Sequence, residues 1–394
     1  MRKVLILGAA RTPIGSMGGV FATTSAVQLG ITAAKETLRR AGVKPEQVEE
    51  AIFGNVLTAG QGQNPARQVA IGIGMPDAAP AFTVSKVCGS GLKAIELGWQ
   101  SILLERANVV IAGGFENMTM APYLLPAMRA GARLGDAQAV DGTVRDGLWD
   151  IFNNYHMGIT AENVAERYGI TREQQDQFAL ESQRKYAAAL EAGKFKDEIV
   201  PVVVKQKKGE VVVDKDEHPK PDTSLEKMAK LPPAFKKEGT VTAANASGIN
   251  DGGSSVLLVA EDALPEGANL DHAVYLRDVR SCGCDPKVMG LGPIGAVRKL
   301  LEKNGLTVAD IGLWELNEAF AAQALAVLRE LDIDPANVNL NGGAIALGHP
   351  IGCTGARVTT TLIHEMKRRK ARLGIAAMCI GGGMGIGCLV ENKV

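Results

Sequence analysis

The chain has 394 residues, 46% of them hydrophobic, and a mean hydropathy of +0.04: a well-buried globular composition, too long for one ordinary core. Its 43 Lys and Arg balance 43 Asp and Glu, so no net field draws it to nucleic acid or to an anionic membrane. No stretch offers the roughly 18 uncharged apolar residues of a membrane span, which excludes that class as well.

The first strand, Val4-Leu5-Ile6-Leu7, begins almost at the N-terminus and leaves no room for a secretory or transit leader. Six cysteines, at 88, 282, 284, 353, 379 and 388, then read as free thiols of a reducing cytoplasm. Cys282 and Cys284 form a lone C-x-C with no second pair, so no metal site is expected. A turn at Ala10-Arg11-Thr12-Pro13 leads to a helical pattern over 25–41 that Gly42 closes. Residues 48–53 read as a strand ending at Gly54-Asn55.

The segment 81–114 organises the rest. Residues 83–87 read as a strand, Gly89-Ser90-Gly91 as a tight turn, and Leu92, Ile95, Trp99, Ile102 and Leu103 recur at helical spacing. Cys88 stands at the turn, where a nucleophile elbow would place it and where the N–H groups of a helix start favour a thiolate. The competing reading is a buried packing cysteine, because free Cys is among the most buried residue types. The apolar run 109–112 completes the strand, helix, strand alternation of an α/β fold.

From Glu116 to Asn250 the texture changes to Met, Pro, Gly and scattered charge. A long helix is predicted over 172–192 inside an otherwise irregular region, and nine Lys against seven acids over 205–238 give no strong bias. This reads as an inserted loop or lid domain. The strand 254–260 returns to the first sheet. The expected organisation is a first half over 1–115, the lid over 116–250, a return over 251–270 and a second half over 271–394.

The second half repeats the first. A strand over 311–316 ends in Asn317, as the strand at 48–53 ends near Asn55. Gly348-His349-Pro350-Ile351-Gly352-Cys353-Thr354-Gly355 then enters a helix running to Arg369, and Cys379-Ile380-Gly381-Gly382-Gly383 ends the next strand as Gly113-Gly114 end the first. Gly91 and Gly355 stand 264 residues apart, the offset of an internal duplication. Ligands of α/β sheets bind beyond the carboxyl ends of strands, which brings Cys88, Asn317, His349 and Cys379 toward one cleft. Gly290-Leu291-Gly292-Pro293-Ile294-Gly295 spells G-x-G-x-x-G, but the residues before it, 282–289, read as polar and turn-like instead of a strand, so dinucleotide binding is not expected.

Two cysteines and a histidine in glycine-rich turns suggest acyl transfer through a thioester, a nearly balanced exchange suited to reversible chemistry. His349 could take the proton of Cys88, and N–H groups near Cys88 and Gly381 could hold an oxyanion. A cysteine protease would need Cys and His but has no use for a second cysteine in a mirrored turn.

Four runs, in this order, resemble the thiolase family along essentially the whole chain, most closely its bacterial biosynthetic type. They are Val87-Cys88-Gly89-Ser90-Gly91, Asn317-Glu318-Ala319-Phe320, Asn341 through Gly352, and Cys379-Ile380-Gly381-Gly382-Gly383-Met384-Gly385. The resemblance implies a duplicated, five-layered αβαβα core with an inserted lid domain, usually assembled as a homotetramer. It implies acetyl-CoA C-acetyltransferase activity: a reversible Claisen condensation of two acetyl-CoA to acetoacetyl-CoA and free CoA through an acyl-thioester on Cys88. Coenzyme A thioesters would be substrates, with no further cofactor. By the same resemblance His349 is the base and an oxyanion donor, Cys379 the acid/base at the α-carbon of the second substrate, and Asn317 the holder of an oxyanion-hole water. The N–H groups of Cys88 and Gly381 form the other oxyanion hole. His156-Met157-Gly158 and Ala246-Ser247-Gly248 match coenzyme A contacts, and Met289 a residue near the acyl pocket. Lys220 and Lys227 stand where relatives often carry an arginine and a serine at the nucleotide end. His156 before Met157 favours short acyl groups. The alternatives are a degradative 3-ketoacyl-CoA thiolase for longer chains and, from another class, a non-catalytic lipid-binding relative. A decarboxylating ketosynthase would carry histidine in place of Cys379.

Overall fold

The computed structural model describes residues 2–207 and 209–393. Nine strands carry the architecture: β1 (Val4–Arg11), β2 (Glu50–Gly54), β3 (Ala81–Val84), β4 (Val109–Asn117), β5 (Asn250–Ala260), β6 (Val274–Gly283), β7 (Leu313–Leu316), β8 (Leu373–Ile380) and β9 (Met384–Asn392). The helices that matter here are α1 (Ala26–Ala41), α2 (Pro65–Ile73), α3 (Ser90–Leu103), α4 (Met157–Tyr168), α5 (Arg172–Glu191), α6 (Gly292–Asn304), α7 (Ala321–Leu331) and α8 (Thr354–Arg369). Local chemistry explains their ends. Ser25 accepts from the N–H of Gln28 at the start of α1, and Gly42 closes that helix in the left-handed region at φ 66°.

The main sheet runs β7-β8-β9-β6-β1-β5-β4-β2-β3. Its two halves join through a short antiparallel contact, Leu5 with Tyr275 and Ile6 with Val274. Each half has a parallel pair at its outer side, β2 with β4 and β7 with β8. β5 pairs antiparallel with β1 and with β4.

Both faces of each half are buried, and the period of two along the strands shows how. In β4, Val109 and Ile111 join the cluster under α1 and α2, whereas Val110 and Ala112 point to the cluster under α3 and α8. In β8, Ile375 and Ala377 pack with α6 and α7, whereas Ala376 and Met378 join the same central cluster. The layers are therefore α1 and α2, the first half-sheet, α3 with α8, the second half-sheet, and α6 with α7. This is the five-layered αβαβα arrangement of a duplicated unit. The second half's counterpart of β3 is reduced to one bridge, Trp314 with Val338.

Two local readings need correction. The strand expected over 83–87 stops at Val84, because Val87 takes a left-handed φ of 47° that no strand tolerates. The region 116–250 is less irregular than its composition suggests: it holds α4 besides the expected α5, and an antiparallel hairpin of Val202–Gln206 with Gly209–Val213. Of the stretch 282–289 only Cys282 and Gly283 are strand, at the end of β6; residues 284–289 form no strand, as expected, directly before the G-x-G-x-x-G. Its glycines face protein: a side chain at Gly292 would collide with the carbonyl of Met384, and one at Gly295 would fall 2.5 Å from Cys282 Sγ. No phosphate fits there.

Among the described residues, no group of three or more His, Cys, Asp or Glu could hold a metal ion, and no helix is long and apolar enough to cross a membrane.

Candidate active site

The turn between β3 and α3 is built on Ser90. Its Oγ accepts from the N–H of Lys86 at 2.8 Å and donates to the carbonyl of Val87 at 2.6 Å, while the N–H of Gly89 bonds Lys86 O. These bonds hold Val87 in the left-handed region, where a β-branched residue costs of order 1–3 kcal/mol. The strain lifts Cys88 out of the strand direction just before the helix. Gly89 is needed for close approach, because a side chain there would strike Ile380 Cδ1 of the second half.

Cys88 is 9% exposed. Burial pushes its thiol up to about 11, against the N–H groups of Gly381 and of Cys88 itself, which favour the thiolate; the charge of Glu116 adds to the rise. The thiolate expected from a helix start is thus overruled by desolvation, and the resting group is a thiol. Cys379, at the end of β8, is fully buried; burial and the neighbouring Cys88 raise it well above the usual thiol range.

Asn317 and His349 form a second pair, with Asn317 seated against β8. The N–H of Asn317 bonds Ala377 O, which seats it next to the end of β8. Its Nδ2 lies 3.5 Å from His349 Nε2, and its Oδ1 is buried with no hydrogen-bond partner among the described residues. His349 Nδ1 is 2.6 Å from Thr354 Oγ1, whose hydroxyl donates to Pro350 O at 2.9 Å. With the hydroxyl proton spent on Pro350, Thr354 can only accept, so Nδ1 carries the imidazole proton and Nε2 is the free acceptor. Burial, then the charge of Arg357, hold His349 down to about 3, so it is neutral at physiological pH.

Met157, Met289, Ala319, Phe320 and Cys379 form one apolar cluster, backed by Phe235. His156 caps α4, its Nδ1 accepting from the N–H of Gly158 at 3.1 Å, and stacks on Phe235 with centroids 4.7 Å apart. The N–H of Ser247 bonds Ala319 O, which ties the loop 246–248 to the run after Asn317. Met157 and Met289 thus pack with Cys379 directly, His156 reaches that cluster through Phe235, and Ser247 is tied by its backbone to Ala319. Lys220 is exposed, with its backbone N–H on Gln183 Oε1, near His218, which packs against Gly248; Lys227 Nζ bonds Asp222 O.

Thr354 and Glu116 were missed from sequence. Thr354 lies inside the His349 motif, five residues on, but nothing in its spacing marks it as a tautomer lock. Glu116 looks like a solvated acid at a strand end.

Residues 4–262 match the family described as thiolase, N-terminal domain, and residues 270–392 match thiolase, C-terminal domain. The chain is 54% identical to the acetyl-CoA acetyltransferase of Cupriavidus necator over the full length of both. The structure of the acetyl-CoA acetyltransferase from Syntrophomonas wolfei superposes with a TM-score of 0.97 at 43% identity, covering all of both chains. Human mitochondrial 3-ketoacyl-CoA thiolase in complex with CoA superposes with a TM-score of 0.95 at 42% identity, covering 100% of this chain and 98% of that one. Two matched domains, a shared five-layered core and a cleft assembled from the same motifs lead to one conclusion: this chain belongs to the thiolase family.

Proposed function

We propose that the protein is an acetyl-CoA C-acetyltransferase that joins two acetyl-CoA into acetoacetyl-CoA and CoA, reversibly. The observation that carries this reading is that two buried thiols, Cys88 and Cys379, are brought near each other, with Gly89 packed closely on Ile380 and Gly381 on Val87. One thiol can hold an acyl group while the other moves a proton.

In this reading Cys88 attacks the thioester carbonyl as its proton passes to His349 Nε2. Because the thiol sits near 11 and the imidazole near 3, full transfer before attack is disfavoured, and the proton moves as the C–S bond forms. The carbonyl oxygen gains charge within reach of the N–H groups of Cys88 and Gly381. CoA leaves with the proton of Cys379, which is left as the thiolate, while His349 keeps the proton it took from Cys88. The Cys379 thiolate then removes an α-proton from the second acetyl-CoA. The enolate carbon attacks the acetyl group on Cys88, the bond from that carbonyl carbon to Cys88 Sγ breaks, and the released thiolate takes its proton back from His349. The protonated Nε2 of His349 donates to the enolate oxygen, beside a water that the free Oδ1 of Asn317 would hold by accepting one of its hydrogens.

The names of the relatives support acetyl and 3-ketoacyl thioesters, and the human neighbour's complex supports coenzyme A as the carrier. The region between β4 and β5, which supplies His156, Met157 and Ser247, would cover the pantetheine arm. Met120, Tyr123, Leu125, Met128 and Leu134 are exposed, an apolar surface in keeping with a homotetramer.

Met157, Met289 and Phe320 pack with Cys379 in one apolar cluster, which supports two-carbon units over long chains at that thiol. Thiolysis measured across 3-ketoacyl-CoAs of increasing length is expected to give the highest kcat/KM for acetoacetyl-CoA. Equal or better turnover of a ten-carbon substrate would assign the protein to the degradative type instead.

A further inference from the structure

Glu116, one residue from the end of β4, is fully buried and surrounded by donors. Its Oε1 accepts from Asn55 Nδ2 at 2.6 Å and from the N–H of Leu57 at 3.1 Å. Its Oε2 accepts from the N–H of Val56 at 3.0 Å and of Gly352 at 2.9 Å. Four donors on two oxygens suit an ionised carboxylate, which only accepts; a protonated one would aim its own hydrogen at an N–H. No salt bridge to it is formed among the described residues.

The four donors come from both halves of the molecule. Asn55, Val56 and Leu57 follow β2, and the N–H of Asn55 bonds Val84 O at the end of the strand that leads to Cys88. Gly352 lies three residues after His349 and two before α8. This turn is wedged in place: a side chain at Gly352 would sit 2.5 Å from Glu116 Oε2 and 2.9 Å from Phe115 O. On its other side, Gly352 O lies 3.0 Å from where a side chain of Gly91, in the first turn of α3, would begin. Asn55 is the first half's counterpart of Asn317, yet its amide nitrogen donates to Glu116 Oε1 and Phe115 O and not toward a histidine.

We propose that Glu116 is a positioning residue of the acetyl-transfer site: its carboxylate clamps the His349 turn of one half to the Asn55 loop of the other and so sets His349 against Cys88. The inference rests on the function proposed above. It touches no substrate, so coenzyme A affinity should be indifferent to it, whereas the rate of Cys88 acetylation should not.

Burial raises Glu116 to about 7, which makes the clamp sensitive to pH. The titratable groups facing it are Asp251 on β5, at about 6, and the thiols of Cys88 and Cys353, at about 11 and about 12. The thiols are silent below pH 8. A carboxylate raised in this way is ionised above pH 7 and protonates below it, so acetylation should slow as pH falls through about 7.

The test is the rate of Cys88 acetylation by acetyl-CoA between pH 5.5 and 8, with steady-state condensation beside it, for wild type and Glu116→Gln. Glutamine keeps the shape but turns an NH₂ toward the donors. At pH 8 it is expected to lower kcat by about 100-fold with KM within a factor of two, the scale of a misplaced base, and its profile should be flat where the wild type falls. Folded Glu116→Gln with wild-type kcat, or with the acid limb intact, overturns the assignment; an intact limb would belong to Asp251. Should the variant not fold, the wild-type profile decides, since a rate constant across pH 6 to 7.5 is equally fatal. No acetyl-enzyme in wild type at any pH overturns the proposed function as well, which separates the two failures.

Discussion

Cys379→Ser is expected to lower both condensation and thiolysis by up to about 10⁴-fold, the upper range for removing an acid/base group. The cause lies in what surrounds the side chain. Cys379 is held above the usual thiol range first by burial and next by Cys88, so its proton and the one on Cys88 are coupled. Once Cys88 carries an acetyl group it can no longer bear charge, and that part of the rise is removed. Acylation of one cysteine therefore prepares the other to take an α-proton. A serine hydroxyl in the same dry cluster is far too weak an acid to ionise, and the enolate would not form. Coupled spectrophotometric assays in both directions check this. A serine variant within tenfold of wild type would show that another group moves the proton.

His349→Ala is expected to slow acetylation of Cys88 by about 10²- to 10⁴-fold at pH 7. With its thiol near 11, roughly one Cys88 in 10⁴ is a thiolate at neutrality, so the reaction depends on a base at the moment of attack. The sign of the pH effect follows. Without His349 the reactive species must come from solution deprotonation, so the variant's rate should rise about tenfold for each pH unit between 7 and 9. The wild type, whose imidazole is already neutral because burial holds it near 3, should change much less over that range. Rapid-quench acetylation followed over those pH values makes the comparison. A variant rate independent of pH would remove His349 from the role of base.

Elements with strong ends were legible in the sequence. The pattern over 25–41 with Ser25 before it and Gly42 after it became Ala26–Ala41, and the helix expected to run to Arg369 ends there. Periodicity and caps are local signals, and the fold honours them. The repeat was legible for a related reason, since glycine-rich strand ends recur wherever two layers of helix and sheet must approach closely. Helix Met157–Tyr168 was lost because its polar, charged face and its Met and Gly start resemble the loop around it. The end of β3 was lost because Val87 looks like one more strand residue, and only the Ser90 bonds force it to turn back.

The site divided along the same line. Cys88, Asn317, His349 and Cys379 were legible as residue types at strand ends, and the structure gathers Cys88 with Cys379 and Asn317 with His349. Their protonation was not legible. A helix start argues for a thiolate, but desolvation of a residue 9% exposed outweighs a few N–H dipoles, and desolvation is a property of the whole fold. Glu116 and Thr354 were invisible for the converse reason, since each acts through partners distant in sequence or through a hydroxyl proton that no pattern records.

The central claim is that Cys88 carries the acetyl group and Cys379 does not. Peptide mass spectrometry after brief exposure to acetyl-CoA tests it directly on wild type, Cys379→Ser and Cys88→Ser. The account predicts an added acetyl group on the Cys88 peptide in wild type and in Cys379→Ser, with no stable thioester adduct in Cys88→Ser. Label on Cys379 in the wild type, or label lost in Cys379→Ser and retained in Cys88→Ser, would reverse the two roles.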